Sequence, residues 1–200
     1  MADTVFFFVV AGLASLSFTF KDYALGRSDA LLSRAALLCT ASADFFMLIF
    51  RSDTVGLLFF ILVQLIYHVR YLPRRAIPFY MLIELAVCSL AFLVLKALVP
   101  LDTALAAVYG ICFLFSVSAS IRFRTRWPMP NQLMIPAGMV LFFLCDVNVG
   151  LYNIFSYRPA FRVLFWIFYL PSQALLSVSA RRFAGAGRMI IGNGRRNRAR

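Results

Sequence analysis

Seven apolar runs, each about long enough to cross a bilayer as a helix, fill residues 4–20, 30–50, 54–70, 76–99, 103–121, 133–154 and 161–180. A hydrocarbon core of roughly 30 Å takes about 20 helical residues. Inside it every backbone donor and acceptor must be satisfied within the chain, so such runs fold as helices. Together the runs take up about 140 of the 200 residues. That leaves no room for a soluble domain, a Walker-type nucleotide site or a folded receptor module outside the membrane. Composition agrees: 62% of the residues are apolar, 14% are charged and the mean hydropathy is +0.85, whereas soluble domains are near half apolar and a quarter charged. The expected class is therefore all-α, a polytopic membrane bundle of seven transmembrane helices.

The connections are short and carry ordinary punctuation: Arg51-Ser52-Asp53, Pro73-Arg74-Arg75, Pro100-Leu101-Asp102, Arg122 to Gln132 with Pro128 and Pro130, and Tyr157-Arg158-Pro159. Consecutive helices are expected to be antiparallel neighbours. The first run reads as a retained helix: Asp3 sits where a signal peptide would carry positive charge, and Lys21 follows the apolar stretch.

A net charge of +12 would suggest nucleic acid in a soluble protein, but in a membrane chain it is the distribution of the basic residues that matters. Of the 20 Lys and Arg, four (Arg51, Lys96, Arg158, Arg162) fall on one side of the seven-span layout and sixteen on the other, seven of those in the tail from Arg181. Basic residues resist translocation, so the N-terminus is expected outside and the C-terminus in the cytoplasm. The domain reading is one transmembrane unit over 1–180 and a flexible Arg- and Gly-rich tail over 181–200. That tail is retained on the cytoplasmic side and attracted to anionic lipid headgroups. Nucleic acid is not needed to explain the charge.

Cys39, Cys88, Cys112 and Cys145 all lie within spans, without metal-ligand spacing, and read as small packing residues. His68, the sole histidine, has no carboxylate near it in the sequence and reads as a packing or interfacial residue, not a metal ligand. No metal and no organic cofactor is suggested.

Three acids lie deep within the runs: Asp44, Glu84 and Asp146. Each costs on the order of 3 kcal/mol near a helix centre, and no Lys or Arg sits at comparable depth. Two carboxyls sharing an apolar site do not both ionise readily, so one holds a proton while the other serves as base. At 1.5 Å per residue, Asp44 and Asp146 each fall roughly 4 to 6 Å outward of the midplane. Polar residues recur at helical spacing around them, as in Thr40 and Asp44, Gln64, Tyr67 and His68, Tyr109, Cys112, Ser116 and Ser120, and Tyr169, Gln173 and Ser177. Taken jointly these stripes point to a polar cavity.

These residues carry a resemblance. Thr40-Ala-Ser-Ala-Asp44 followed by Gly56, Phe60, Gln64 and Tyr67 resembles the S-x-x-G-D helix and the following G-x3-F-x3-H-x2-Y helix of the YhhN-like lysoplasmalogenase family of membrane proteins. Gly138 to Asp146 resembles its G-x3-F-x-x-S-D helix, and Tyr169 to Gln173 its Y-x3-Q element. Ala43 stands where the family usually has Gly, Thr40 and Cys145 where it has Ser, and Gln64 where many members have His. The family is generally drawn with eight spans, so an eighth helix stays open. The resemblance implies hydrolysis of the vinyl ether bond of lysoplasmalogens to a fatty aldehyde and a glycerophospho-base. In that chemistry Asp44 and Asp146 form the acid and base pair. Gln64, Tyr67, Tyr169 and Gln173 position water or headgroup, and Glu84 is a further substrate-site candidate.

The alternative from another class is a small proton-coupled transporter or lipid-binding protein with a buried acidic site. Helices two and three, and six and seven, look like a faint parallel repeat around helix four, the pattern of some small carriers. A retinal protein or receptor is disfavoured, since helix seven has no Lys and no NPxxY-like element. An accessory membrane protein whose acids merely pair between helices also remains open.

Overall fold

The computed structural model describes residues 2–155 and 159–183. Among them seven α-helices follow the seven apolar runs: α1 (Ala2–Thr19), α2 (Arg27–Asp44), α3 (Asp53–Tyr71), α4 (Ile77–Lys96), α5 (Leu101–Arg122), α6 (Asn131–Ile154) and α7 (Pro159–Val178). A π-helical turn, Phe45–Ile49, extends α2, and a short 3-10 turn, Arg124–Arg126, precedes α6. Among the described residues five helices are long and apolar enough to cross a membrane: α2 with its π-turn, α3, α4, α5 and α6. In α1 and α7 the apolar stretches are shorter, Phe7–Thr19 and Val163–Val178. Helix boundaries follow local chemistry. Gly26 takes φ 114 to start α2, a conformation that side chains resist. Pro78 lies in the first turn of α4 and Pro100 caps α5, where a missing N–H costs nothing.

Five helices close a ring in the order α2, α3, α5, α6, α7, with α7 returning to α2. α1 lies outside over the seam between α2 and α7, and α4 lies outside against α5. This differs from simple succession: α3 packs on α5, not chiefly on α4. Small residues on α5, including Ala104, Ser116, Ala119 and Ser120, are buried and let backbones approach. α4 offers only Glu84 and Cys88 as buried positions, and its Leu82, Leu85, Leu90 and Leu93 are exposed. An apolar helix with so little to bury belongs on the lipid side. In the ring α5, not α4, stands between α3 and α6.

One end of the bundle, where α2 and α6 begin and α3 and α7 finish, is tied by a polar cluster. Arg70 donates through Nε (3.0 Å) and Nη2 (3.2 Å) to Asp29, and through Nη1 to Ser179 (2.9 Å). Asp29 also accepts from the Trp127 indole at 3.3 Å. The sequence layout counts Arg70 as a loop cation and does not single out Asp29. The pair is 3% and 8% exposed, respectively, so it is a buried ion pair. Arg181 and Arg182, which the sequence assigns to the tail, are held to the α1–α2 connection: Arg181 bridges Tyr23, and the Arg182 amide donates to the Asp22 carbonyl at 2.9 Å. The rest of the tail, 184–200, and the connection at 156–158 lie outside the described residues.

Candidate active site

Asp44 is the last residue of α2, and the π-turn that follows carries Met47 and Leu48 onto the same side of the bundle. α3 passes close beneath that turn because residue 56 is glycine. A Cβ there would stand 2.0 Å from Met47 Cγ and 3.3 Å from the Ala43 carbonyl. Gly56→Val is therefore expected to push Met47 aside and to lower stability by about 1–3 kcal/mol, the usual cost of overpacking. Thermal unfolding in detergent reads this, and an unchanged midpoint would show that Met47 yields freely.

Asp146 lies on α6 beside Cys145, and both face the space that Asp44 faces from α2. The two helices are not neighbours in the ring, since α7 lies between them. Their acids line one cavity of about 310 Å³ together with Met47, Phe60, Val149, Tyr152, Phe165, Trp166 and Tyr169. Each carboxylate accepts a hydrogen bond from a tyrosine on a neighbouring helix: Tyr169 on α7 donates to Asp44 Oδ2, and Tyr109 on α5 donates to Asp146 Oδ2. The result is two carboxyls, each steadied by a phenol, at the wall of a mostly apolar chamber.

The other residues that the sequence proposes for the site sit as follows. Gln64, fully buried one turn along α3 from Phe60, lies against Tyr109 while neither of its amide atoms completes a hydrogen bond. Its backbone carbonyl accepts from Ser116 Oγ at 2.8 Å. Gln173 is fully buried one turn beyond Tyr169, its amide likewise unpartnered. Tyr67 stacks on Tyr71 with centroids 5.7 Å apart, away from the cavity wall and toward the Arg70 end. Glu84 belongs to a different place altogether: its Oε2 meets Nδ1 of His68, and both residues are buried. The expectation of a histidine without a carboxylate is thus corrected. The two residues are sixteen apart in sequence and come together only because α4 lies against the outer side of α5 and α3.

Sequence alone does not single out Tyr109 as a site residue, although it heads the polar stripe of α5. The available signal is depth: a tyrosine in mid-run, level with Asp146 on an adjacent helix. Among the described residues no group of three or more His, Cys, Asp or Glu is placed to hold a metal ion. The polar groups at the cavity are the Asp44 and Asp146 carboxyls, the Tyr152 and Tyr169 phenols and the Cys145 thiol, with the Tyr109 phenol bonded to Asp146 from behind.

No curated protein and no solved structure matches the chain. The model of one family does match, over residues 4–180, a span that includes the whole ring, the acid pair and both tyrosines. On that match the chain belongs to the YhhN family.

Proposed function

We propose that this chain is a membrane-embedded hydrolase that cleaves the vinyl ether bond of lysoplasmalogen-type lysophospholipids, with Asp44 and Asp146 as its acid and base. The observation that carries this reading is the shared cavity: two carboxyls from separate helices face one apolar space, each oriented by a tyrosine hydroxyl. Membership of the YhhN family supports it.

The chemistry asks little beyond those groups. A protonated carboxyl gives its proton to the vinyl carbon and leaves an oxocarbenium ion on the ether carbon. The ionised partner stabilises that cation and takes a proton from the attacking water. The hemiacetal so formed collapses to a fatty aldehyde and the glycerophospho-alcohol. Phe60, Phe165 and Trp166 form an apolar wall suited to the alkenyl chain and keep bulk water from the cation. Gln64 acts through Tyr109, against which it lies, and Gln173 supports the turn of α7 that presents Tyr169. All seven helices cross the membrane in this reading, with the N-terminus outside, the cavity in the outer half and the basic end against anionic cytoplasmic headgroups.

Purified protein in micelles should release aldehyde and glycerophospho-headgroup in equal amounts from a lysoplasmalogen. Folded protein that releases neither would replace hydrolysis with the carrier reading, tested next by proton-driven lipid uptake into vesicles. Tyr109→Phe and Tyr169→Phe each remove one hydrogen bond to a reacting carboxyl. Each is expected to lower kcat by about 10- to 100-fold with little change in KM. Steady-state kinetics would show a purely structural role as equal, small effects on both constants.

A further inference from the structure

A second chamber lies on the other side of α5. A groove of about 610 Å³ runs between α3, α4 and α5, walled by Ile61, Leu65, Leu105 and other apolar side chains. Its outer lip is formed by Leu82 and Leu85, which are 66% and 65% exposed on the lipid-facing side of α4. Such a groove admits a molecule dissolved in the acyl layer far more readily than one arriving from water.

Cys88 of α4 and Cys112 of α5 both border this groove, are buried, and are free thiols with their sulfurs 3.4 Å apart. A disulfide bond is about 2.05 Å long, so a small approach of the two helices or a side-chain rotation closes it. Glu84, one turn before Cys88 on the same face, borders the groove too. Its Oε2 is bound to His68 Nδ1, and its buried Oε1 has no hydrogen-bond partner among the described residues. The order His68, Glu84, Cys112, Cys88 thus places a proton acceptor beside one thiol and a second thiol beside the first. Packing alone would explain two cysteines in contact. It does not explain a buried carboxylate, held from behind by His68, on the wall of the same lipid-accessible groove.

We propose that Cys88 and Cys112 form a dithiol couple that reduces a lipid hydroperoxide entering through this groove. Cys112 passes its proton to Glu84, and the thiolate attacks one peroxide oxygen. The O–O bond breaks, and the lipid leaves as an alcohol once its alkoxide recovers that proton. Cys112 is then a sulfenic acid. Cys88 displaces its hydroxyl, releasing water and forming the Cys88–Cys112 disulfide. The sum is two thiols and one hydroperoxide giving one disulfide, one lipid alcohol and one water, and a small dithiol reductant resets the pair by exchange.

The test uses the full chain in phosphatidylcholine vesicles, challenged with a phospholipid hydroperoxide or with hydrogen peroxide at equal concentration. The lipid hydroperoxide should give a mass loss of about 2 Da, a Cys88–Cys112 linked peptide, and one lipid alcohol per disulfide. Alkylatable thiols should fall from four to two and return to four with dithiothreitol. Hydrogen peroxide should act about tenfold more slowly, since the thiols are reached through an apolar groove. Cys88→Ser should stop at a trappable sulfenic acid on Cys112, and Cys112→Ser should consume no hydroperoxide. Four alkylatable thiols after exposure of the unaltered protein, or equal rates with the two peroxides, would overturn the proposal. Neither readout depends on vinyl ether hydrolysis.

Discussion

Replacing Asp146 or Asp44 by Asn should cut aldehyde release by about 100- to 10,000-fold, the range expected when a positioned acid or base is removed. Asn is close to Asp in size and can still accept the tyrosine hydroxyl through its carbonyl oxygen. The Tyr109 and Tyr169 contacts need not be lost, and what disappears is the transferable proton or the negative charge. The effect should fall on kcat, because the apolar wall that holds the alkenyl chain is untouched. Groups that act as a unit are strongly non-additive, so the double variant should be little worse than either single one. Matched thermal unfolding curves separate this outcome from misfolding. Either variant retaining more than about a tenth of the activity would remove that carboxyl from the chemistry, and a multiplicative double variant would mean that the two acids work independently.

Asp29→Ala should destabilise the folded chain by about 3–5 kcal/mol, because it strands a buried guanidinium. Native stabilities of roughly 5–15 kcal/mol leave little margin for such a loss. Arg70 reaches Asp29 with two nitrogens and Ser179 with a third, and Trp127 shares the same carboxylate. The cluster therefore joins α2, α3, the α5–α6 connection and the chain just beyond α7. Removing both charges as Asp29→Ala with Arg70→Met should recover much of the loss, since a buried pair is far less harmful to delete than to halve. Equilibrium unfolding in mixed micelles measures both. A single-variant loss below about 1 kcal/mol would show the Arg70 head to be effectively solvated.

The helices are legible in the sequence because lipid imposes a simple rule on backbone and side chain alike. The apolar runs at 54–70 and 103–121 correspond closely to α3 at Asp53–Tyr71 and α5 at Leu101–Arg122. Hydropathy starts α2 at residue 30, whereas the helix begins at Arg27, since Arg27, Ser28 and Asp29 form its polar first turn at the tied end of the bundle. Lateral order is not legible. A span's hydropathy says that it meets lipid but not which neighbours it meets, so the displacement of α4 to the outside of α5 leaves no trace in the loops. Two pairs on consecutive helices, Glu84 with His68 and Asp29 with Arg70, are hidden for a related reason: hydropathy does not say how each helix is turned about its own axis. Depth along each run, by contrast, can be counted, and that count singles out Asp44 and Asp146. Tyr109 escapes it because a tyrosine in mid-span reads equally well as apolar filler until its neighbour on α6 is known.

The π-turn after Asp44 amounts to one inserted residue in an otherwise regular helix. The chain beyond it reaches Arg51, whose φ of 53 turns it back into α3. Length is therefore a variable of its own in this stretch. Deleting one of Phe45–Ile49 would remove the extra residue that the wide turn absorbs and let it close as ordinary α-helix. Met47 and Leu48 lie within that turn, so their places on the cavity wall depend on its width. A chain shortened by one residue here would keep both acids and both tyrosines and reshape the stretch of wall that Met47 and Leu48 give the chamber.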